Sequence, residues 1–222
     1  LLASALRWLS QEYNNQRFPY KGVDVESLGK KMTWEDWHSL LVANFESWFY
    51  IPHDKKNDEK FFIEPSYVSV RAIYKDTVGA SNEFGDYQFR PNLCVAMTVA
   101  PELFDKNNAL RCLNLVEERL MGKIGMKTLD AADWRYNPYY DNSNDSDNYM
   151  VAKGFNYHNG PEWVWPVGYF FRASMKFGRG VTPGMAHMLA NIKSALNNSW
   201  AVGLPELTQA NGETCNDSCP TQ

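Results

Sequence analysis

Apolar residues in this chain recur at helical spacing, and most such runs open on a capping residue or a proline. Leu2, Leu6, Leu9 and Tyr13 predict a helix over 2–14. Thr33-Trp34-Glu35-Asp36 resembles a capping box, and Trp37, Leu40, Leu41, Phe45 and Trp48 form the apolar side of the helix it opens. Glu64-Pro65 predicts a helix over 64–75, and Pro91 one that runs to about Ala100. Asp105 caps a run with Ala109, Cys112, Leu113, Val116 and Leu120 facing inward. Pro161 predicts a helix to Phe177, and Thr182-Pro183 opens the last, with Met185, Met188, Leu189, Ile192 and Leu196. That makes about seven helices and no convincing alternating strand run, so the expected class is all-α, built of antiparallel helical hairpins. The 222 residues show no internal domain boundary and no repeat.

Between 134 and 158 the pattern breaks. Asp141 to Asn148 is wholly polar and cannot support burial, yet the segment runs directly into an aromatic-rich stretch. A loop of this length inside a compact domain is expected to be functional. Eight tryptophans and an aromatic content of 14% suit either a core or stacking on apolar sugar faces. The net charge of −4 disfavours a nucleic-acid surface or a polybasic membrane anchor, and no apolar run is long enough to span a bilayer. The first residues, Leu1 to Trp8, lack both an initiator Met and a signal-peptide layout, and read as a helix entered partway. Cys94 and Cys112 fall in apolar patterns and are expected to be buried free thiols, while Cys215 and Cys219 lie close together in a polar tail. Without a neighbouring His or third Cys, no metal site is expected there; a disulfide would need an oxidising compartment, and reduced cysteines in a cytoplasmic protein are expected. Sequons at Asn144, Asn197 and Asn216 carry meaning only in a secreted chain.

Three clusters have the residue types that chemistry needs. Asp86-Tyr87-Gln88-Phe89-Arg90-Pro91-Asn92 sets amide, guanidinium and carboxylate groups beside two aromatics, which suits sugar hydroxyls that both donate and accept. A capped helix with a surface arginine would read the same way. Gly154 to Pro166, containing Phe155-Asn156-Tyr157-His158-Asn159-Gly160-Pro161-Glu162-Trp163, has the composition of a stacking platform with hydrogen-bonding edges. A buried turn with a backbone-satisfied His158 is its ordinary alternative, and Glu162 in a first helical turn is explained by the helix dipole without catalysis. Gly203-Leu204-Pro205-Glu206-Leu207-Thr208-Gln209-Ala210-Asn211-Gly212 holds one carboxylate behind a rigid proline, fit for a general base or for an ordinary solvated loop.

The string from Phe155 to Pro166 resembles the tyrosine-histidine-asparagine-glycine-proline-glutamate-tryptophan signature of the eukaryotic glycogen debranching enzyme family. Gln88 to Asn92, Ala100-Pro101-Glu102-Leu103-Phe104 and Gly203 to Thr208 are similar to that family in the same order. The resemblance covers essentially the whole chain and implies part of an (α/α)6 toroid with amylo-α-1,6-glucosidase activity, which frees the single glucose left at a branch point of a limit dextrin. It implies Glu206 as general base and no cofactor; since both aromatic motifs sit at expected helix starts, whose ends meet at one rim of such a toroid, Arg90, Asn92, Tyr157, His158 and Trp163 are expected to line the glucose pocket. The general acid belongs to a tryptophan-methionine-aspartate-lysine segment absent from these residues, with Asp86 and Glu162 as the candidates should it lie within them. The family protein also carries a glucanotransferase half that nothing here resembles. Residues 1–222 are therefore expected to be a partial glucosidase domain, cut at both ends, inactive and marginally soluble alone, with apolar faces that include Trp8, Trp48, Leu113 and Phe170. A non-catalytic carbohydrate-binding scaffold and a glucoamylase-like α-1,4-glucosidase of the same fold remain alternatives.

Overall fold

In the computed structural model, residues 1–199 and 203–215 are described. Among them are six α-helices: α1 (Leu2–Asn14), α2 (Trp34–Phe49), α3 (Leu93–Val99), α4 (Lys106–Leu115), α5 (Trp165–Lys176) and α6 (Pro183–Asn198). Their starts follow the side chains that satisfy the first free backbone N–H groups. Thr33 Oγ1 accepts from Asp36 N at 3.0 Å, Asp105 accepts from Asn107 N and Asn108 N, and Thr182 Oγ1 accepts from Met185 N at 3.1 Å. A π-turn over Val116–Leu120 continues α4 and keeps Val116 and Leu120 buried.

The largest core lies where α3, α4 and α5 pack together, around Phe89, Met97, Cys112, Leu113 and Phe170. Leu113 and Phe170 are fully buried, so their apolar faces have partners within this chain, whereas Trp8 and Trp48 stay exposed. Cys94 and Cys112 are buried free thiols, Cys215 is also buried, and burial pushes the Cys112 thiol up to about 12. Cys219 and the Asn216 sequon lie outside the described residues.

Short strands qualify the all-α expectation. Among the described residues there are three small antiparallel sheets: β1 (Gly22–Val25) with β2 (Lys30–Thr33), β3 (Tyr50–Ile51) with β4 (Ile73–Tyr74), and β5 (Met126–Lys127), β6 (Glu162–Trp163) and β7 (Leu207–Thr208) in the order β5-β6-β7. The expected helix over 64–75 does not form. Glu64 caps only a single turn over Pro65–Tyr67, Ala72 turns to φ 60°, and Ile73 and Tyr74 go into a buried strand. The expected helix from Pro161 starts four residues later, at Trp165. Pro166 takes the first-turn place, and the residues before it are drawn into β6.

A three-stranded junction as candidate active site

The sheet β5-β6-β7 joins parts of the chain distant in sequence. Trp163 pairs with Met126 on one side and Leu207 on the other; Glu162 pairs with Lys127 and Thr208. Successive strand residues face opposite sides, so Glu162 and Trp163 point to opposite faces of this small sheet. On the Trp163 face, Trp163, Leu207, Tyr140 and Cys215 form a second buried cluster with Tyr157 packed against it. Gln209 clamps the 134–158 loop to this junction through both ends of its amide. Its Oε1 accepts from Tyr140 N at 2.6 Å, and its Nε2 donates to Tyr140 O at 2.8 Å.

The stretch from Phe155 to Trp163 is fixed residue by residue. Asn156 is buried, and its amide donates to Asn137 O and Tyr139 O. Gly160 adopts φ 153°, and a Cβ there would lie 2.4 Å from the backbone of Asn137, so only glycine fits. Its N–H donates to Thr128 Oγ1, which in turn donates to Pro161 O. Trp163 Nε1 donates to Tyr157 O at 3.0 Å, and the Trp163, Tyr157 and His158 rings lie 4.7 to 5.0 Å apart. The Tyr157 hydroxyl then donates to Glu206 Oε2 at 2.6 Å, a charge-assisted hydrogen bond between the two most distinctive motifs. Glu206 is partly exposed and follows directly on Pro205 at the head of β7, with its carbonyl accepting from Val164 N.

Arg90 and His158, 68 residues apart, meet here. Arg90 donates to His158 O, to Asn159 Oδ1 at 2.8 Å, to Gln88 Oε1 at 2.7 Å and to Thr128 O at 3.1 Å. Its guanidinium is thus spent on bracing the His158 carbonyl and the Asn159 side chain against Gln88 and Thr128. Asn92 is exposed and donates to Asp76 Oδ1, whose other oxygen lies 3.9 Å from Arg90 Nε. Burial, and after it the Arg90 charge, hold the His158 imidazole below its usual value, against the pull of Glu206, so it is neutral at pH 7. Of the residues expected to line a sugar pocket, Tyr157 is half-buried and His158 exposed, while Trp163 is buried beside them as support.

Glu162 differs from its sequence reading. It sits in a strand, not in a first helical turn, and is 1% exposed. Its carboxyl accepts from Asn211 N at 3.1 Å and Lys123 N at 3.3 Å, and it fills the space left by Gly122, whose Cβ would come within 2.2 Å of it. Burial pushes its pKa up, opposed by those backbone donors. It faces a cavity of 330 Å³ shared with Lys127, His187 and Asn191, on the side of the sheet away from Trp163. Nothing in the sequence spacing signalled this latch. Asp86 accepts from Thr77 Oγ1, Gly79 N and Ala80 N; burial alone would raise it, but these bonds hold it below the usual carboxylate range. It is a loop cap held in its ionised form, and so is poorly suited to serve as a general acid.

The profile of the amylo-alpha-1,6-glucosidase family matches residues 1–222. The chain belongs to that family. It is also 39% identical over 240 aligned positions to the glycogen debranching enzyme of Saccharomyces cerevisiae (strain ATCC 204508 / S288c), an alignment that takes in 100% of this chain. The chain spans 16% of that relative's length. Among the described residues of this amylo-alpha-1,6-glucosidase family member, no cluster of His, Cys, Asp or Glu could hold a metal ion, and no helix is long and apolar enough to cross a membrane.

Proposed function

We propose that this chain supplies the base-bearing part of a glucosidase site that hydrolyses α-1,6-linked glucose stubs at the branch points of a glycogen limit dextrin. The observation that carries the reading is the hydrogen bond from Tyr157 to Glu206, which joins the aromatic signature to a partly exposed carboxylate. In this mechanism Glu206 takes a proton from a water molecule. The water oxygen attacks the anomeric carbon from the face opposite the bond to the branch-point oxygen, and that bond breaks. A second carboxyl group, roughly 6.5–9.5 Å from the first, protonates the departing oxygen. By the family resemblance this acid lies in a segment outside these residues. Tyr157 orients the base, and neutral His158 both donates to and accepts from the glucose hydroxyls. Arg90 and Trp163 hold these two in place, and Asn92 reaches the rim through Asp76.

The proposal extends to the surrounding architecture and setting. The helices belong to an (α/α)6 toroid, and the parent protein pairs this glucosidase with a 4-α-glucanotransferase half. It acts on glycogen in the cytoplasm, where the buried thiols of Cys94 and Cys112 stay reduced. The test uses the full-length parent protein bearing Glu206→Gln. Release of free glucose from a limit dextrin is expected to stop while transferase activity persists; normal release would reject Glu206 as base. A panel of α-1,4 and α-1,6 oligosaccharides separates this reading from an α-1,4-glucosidase, which would cleave both or only the former.

A further inference from the structure

The polar 134–158 loop folds back so that its aromatic residues line a surface cavity of 250 Å³ bounded by Arg135, Tyr149, Met150, Phe155 and Asn159. Tyr149 is 64% exposed and Phe155 57%. Large aromatic rings are normally turned inward, and grouped exposure of this kind marks a binding surface. The ledge is held rather than loose. Trp134 meets Phe84 edge-on with ring centroids 5.5 Å apart, and the Arg135 guanidinium lies over both rings at 4.9 and 5.3 Å. Asn159 ties the cavity to the candidate active site. Its Oδ1 accepts from Arg90, its Nδ2 donates to Phe155 O, and it directly follows His158.

The lining chemistry selects the occupant. Ring faces match the C–H faces of a pyranose, while a guanidinium, a phenol and an amide match its hydroxyls. Asp141, Asp145 and Asp147 lie in the same loop, with Lys153 in weak contact with Asp147 at 3.9 Å, so a polyanion would be repelled and a neutral glycan tolerated. We propose that this cavity is a subsite for the α-1,4-glucan chain that carries the branch, with Phe155 and Tyr149 as its stacking platform and Arg135 as its hydroxyl-binding group. The proposal rests on the glucosidase reading above. In it the long loop holds the leaving chain while the terminal glucose sits at Tyr157, His158 and Glu206.

The experiment compares two substrates on the full-length parent protein. One is an oligosaccharide with a single α-1,6-glucosyl branch on an α-1,4 chain; the other is α-glucosyl fluoride, which has the glucose and no chain. Phe155→Ala and the double variant Phe155→Ala/Tyr149→Ala change exposed side chains, so folding is expected to survive. For the branched oligosaccharide, KM should rise about tenfold in the single variant and further in the double. Both kinetic constants for the fluoride should remain unchanged. Unchanged KM for the oligosaccharide in both variants would overturn the subsite, and so would an equal loss on both substrates, which would mean that the rings merely support the loop. Failure of the catalytic reading is seen separately, as Glu206→Gln protein that still hydrolyses the fluoride normally.

Discussion

Tyr157→Phe removes one hydroxyl and leaves the rest of the junction standing. The ring contacts with Tyr140 at 4.9 Å, His158 at 4.9 Å and Trp163 at 4.7 Å do not involve the oxygen, and the bond from Trp163 Nε1 goes to the Tyr157 backbone. What is lost is the 2.6 Å donation to Glu206. A hydrogen bond to a charged group contributes about 1.5–3 kcal/mol, which at about 1.4 kcal/mol per tenfold is a rate factor of roughly 10 to 150. Glu206 is partly exposed, so water replaces some of the lost bond and the lower end, about tenfold, is expected. Steady-state release of glucose from a branched oligosaccharide by the full-length parent protein measures it. An orienting role lowers kcat and kcat/KM together. A variant with kcat within twofold of the parent and only KM raised would show that Tyr157 binds sugar and does not position the base.

Gly160→Ala places a Cβ against the Asn137 backbone, and the shift it forces on His158 should lower glucose release about 10²-fold without loss of transferase activity. A variant with normal release would mean that the turn yields without cost. Glu162 is buried with its pKa raised, so the unfolded chain ionises first, from the ordinary 4.5 upward. Its contribution is therefore fully present below that pH and is lost as pH rises toward the folded value. In Glu162→Gln this loss is absent, so the wild-type protein should lose ground to the variant as pH increases above 4.5. Glucosidase activity surviving a heat step reads this domain selectively, and a difference independent of pH would contradict the assignment. Phe170→Ala empties a fully buried core position between α3, α4 and α5 and should cost about 3–5 kcal/mol, seen as early loss of the same surviving activity.

Helix starts were legible because they depend on local chemistry. Thr33, Asp105 and Thr182 each satisfy backbone donors two or three residues on, and sequence shows such spacing directly. The 64–75 and 161–164 segments were misread because tertiary pairing overrides local preference there. Ile73 and Tyr74 are claimed by β3, and Glu162 and Trp163 by β5 and β7. The family was legible as a resemblance carried by the motifs, and the chain's membership of the amylo-alpha-1,6-glucosidase family agrees with it. How they are arranged was not legible. Nothing in the spacing of Tyr157 and Glu206 announces a bond across 49 residues, and nothing marks Arg90 as a brace or Gln209 as a clamp. Glu162 was the clearest failure, since a proline before it mimics a helix start while its carboxyl in fact latches two loops.

The central claim, that Glu206 activates the attacking nucleophile, is tested most directly by small-anion rescue. Full-length Glu206→Ala protein is incubated with α-glucosyl fluoride with and without sodium azide. General base assistance is worth about 10²–10⁴-fold, so hydrolysis should fall by that factor. Azide needs no deprotonation and fits the space of the deleted carboxylate, so it should restore turnover and yield β-glucosyl azide, with the fluoride leaving from the opposite face. Hydrolysis by Glu206→Ala at the wild-type rate, or loss of activity with no azide product, would contradict the account.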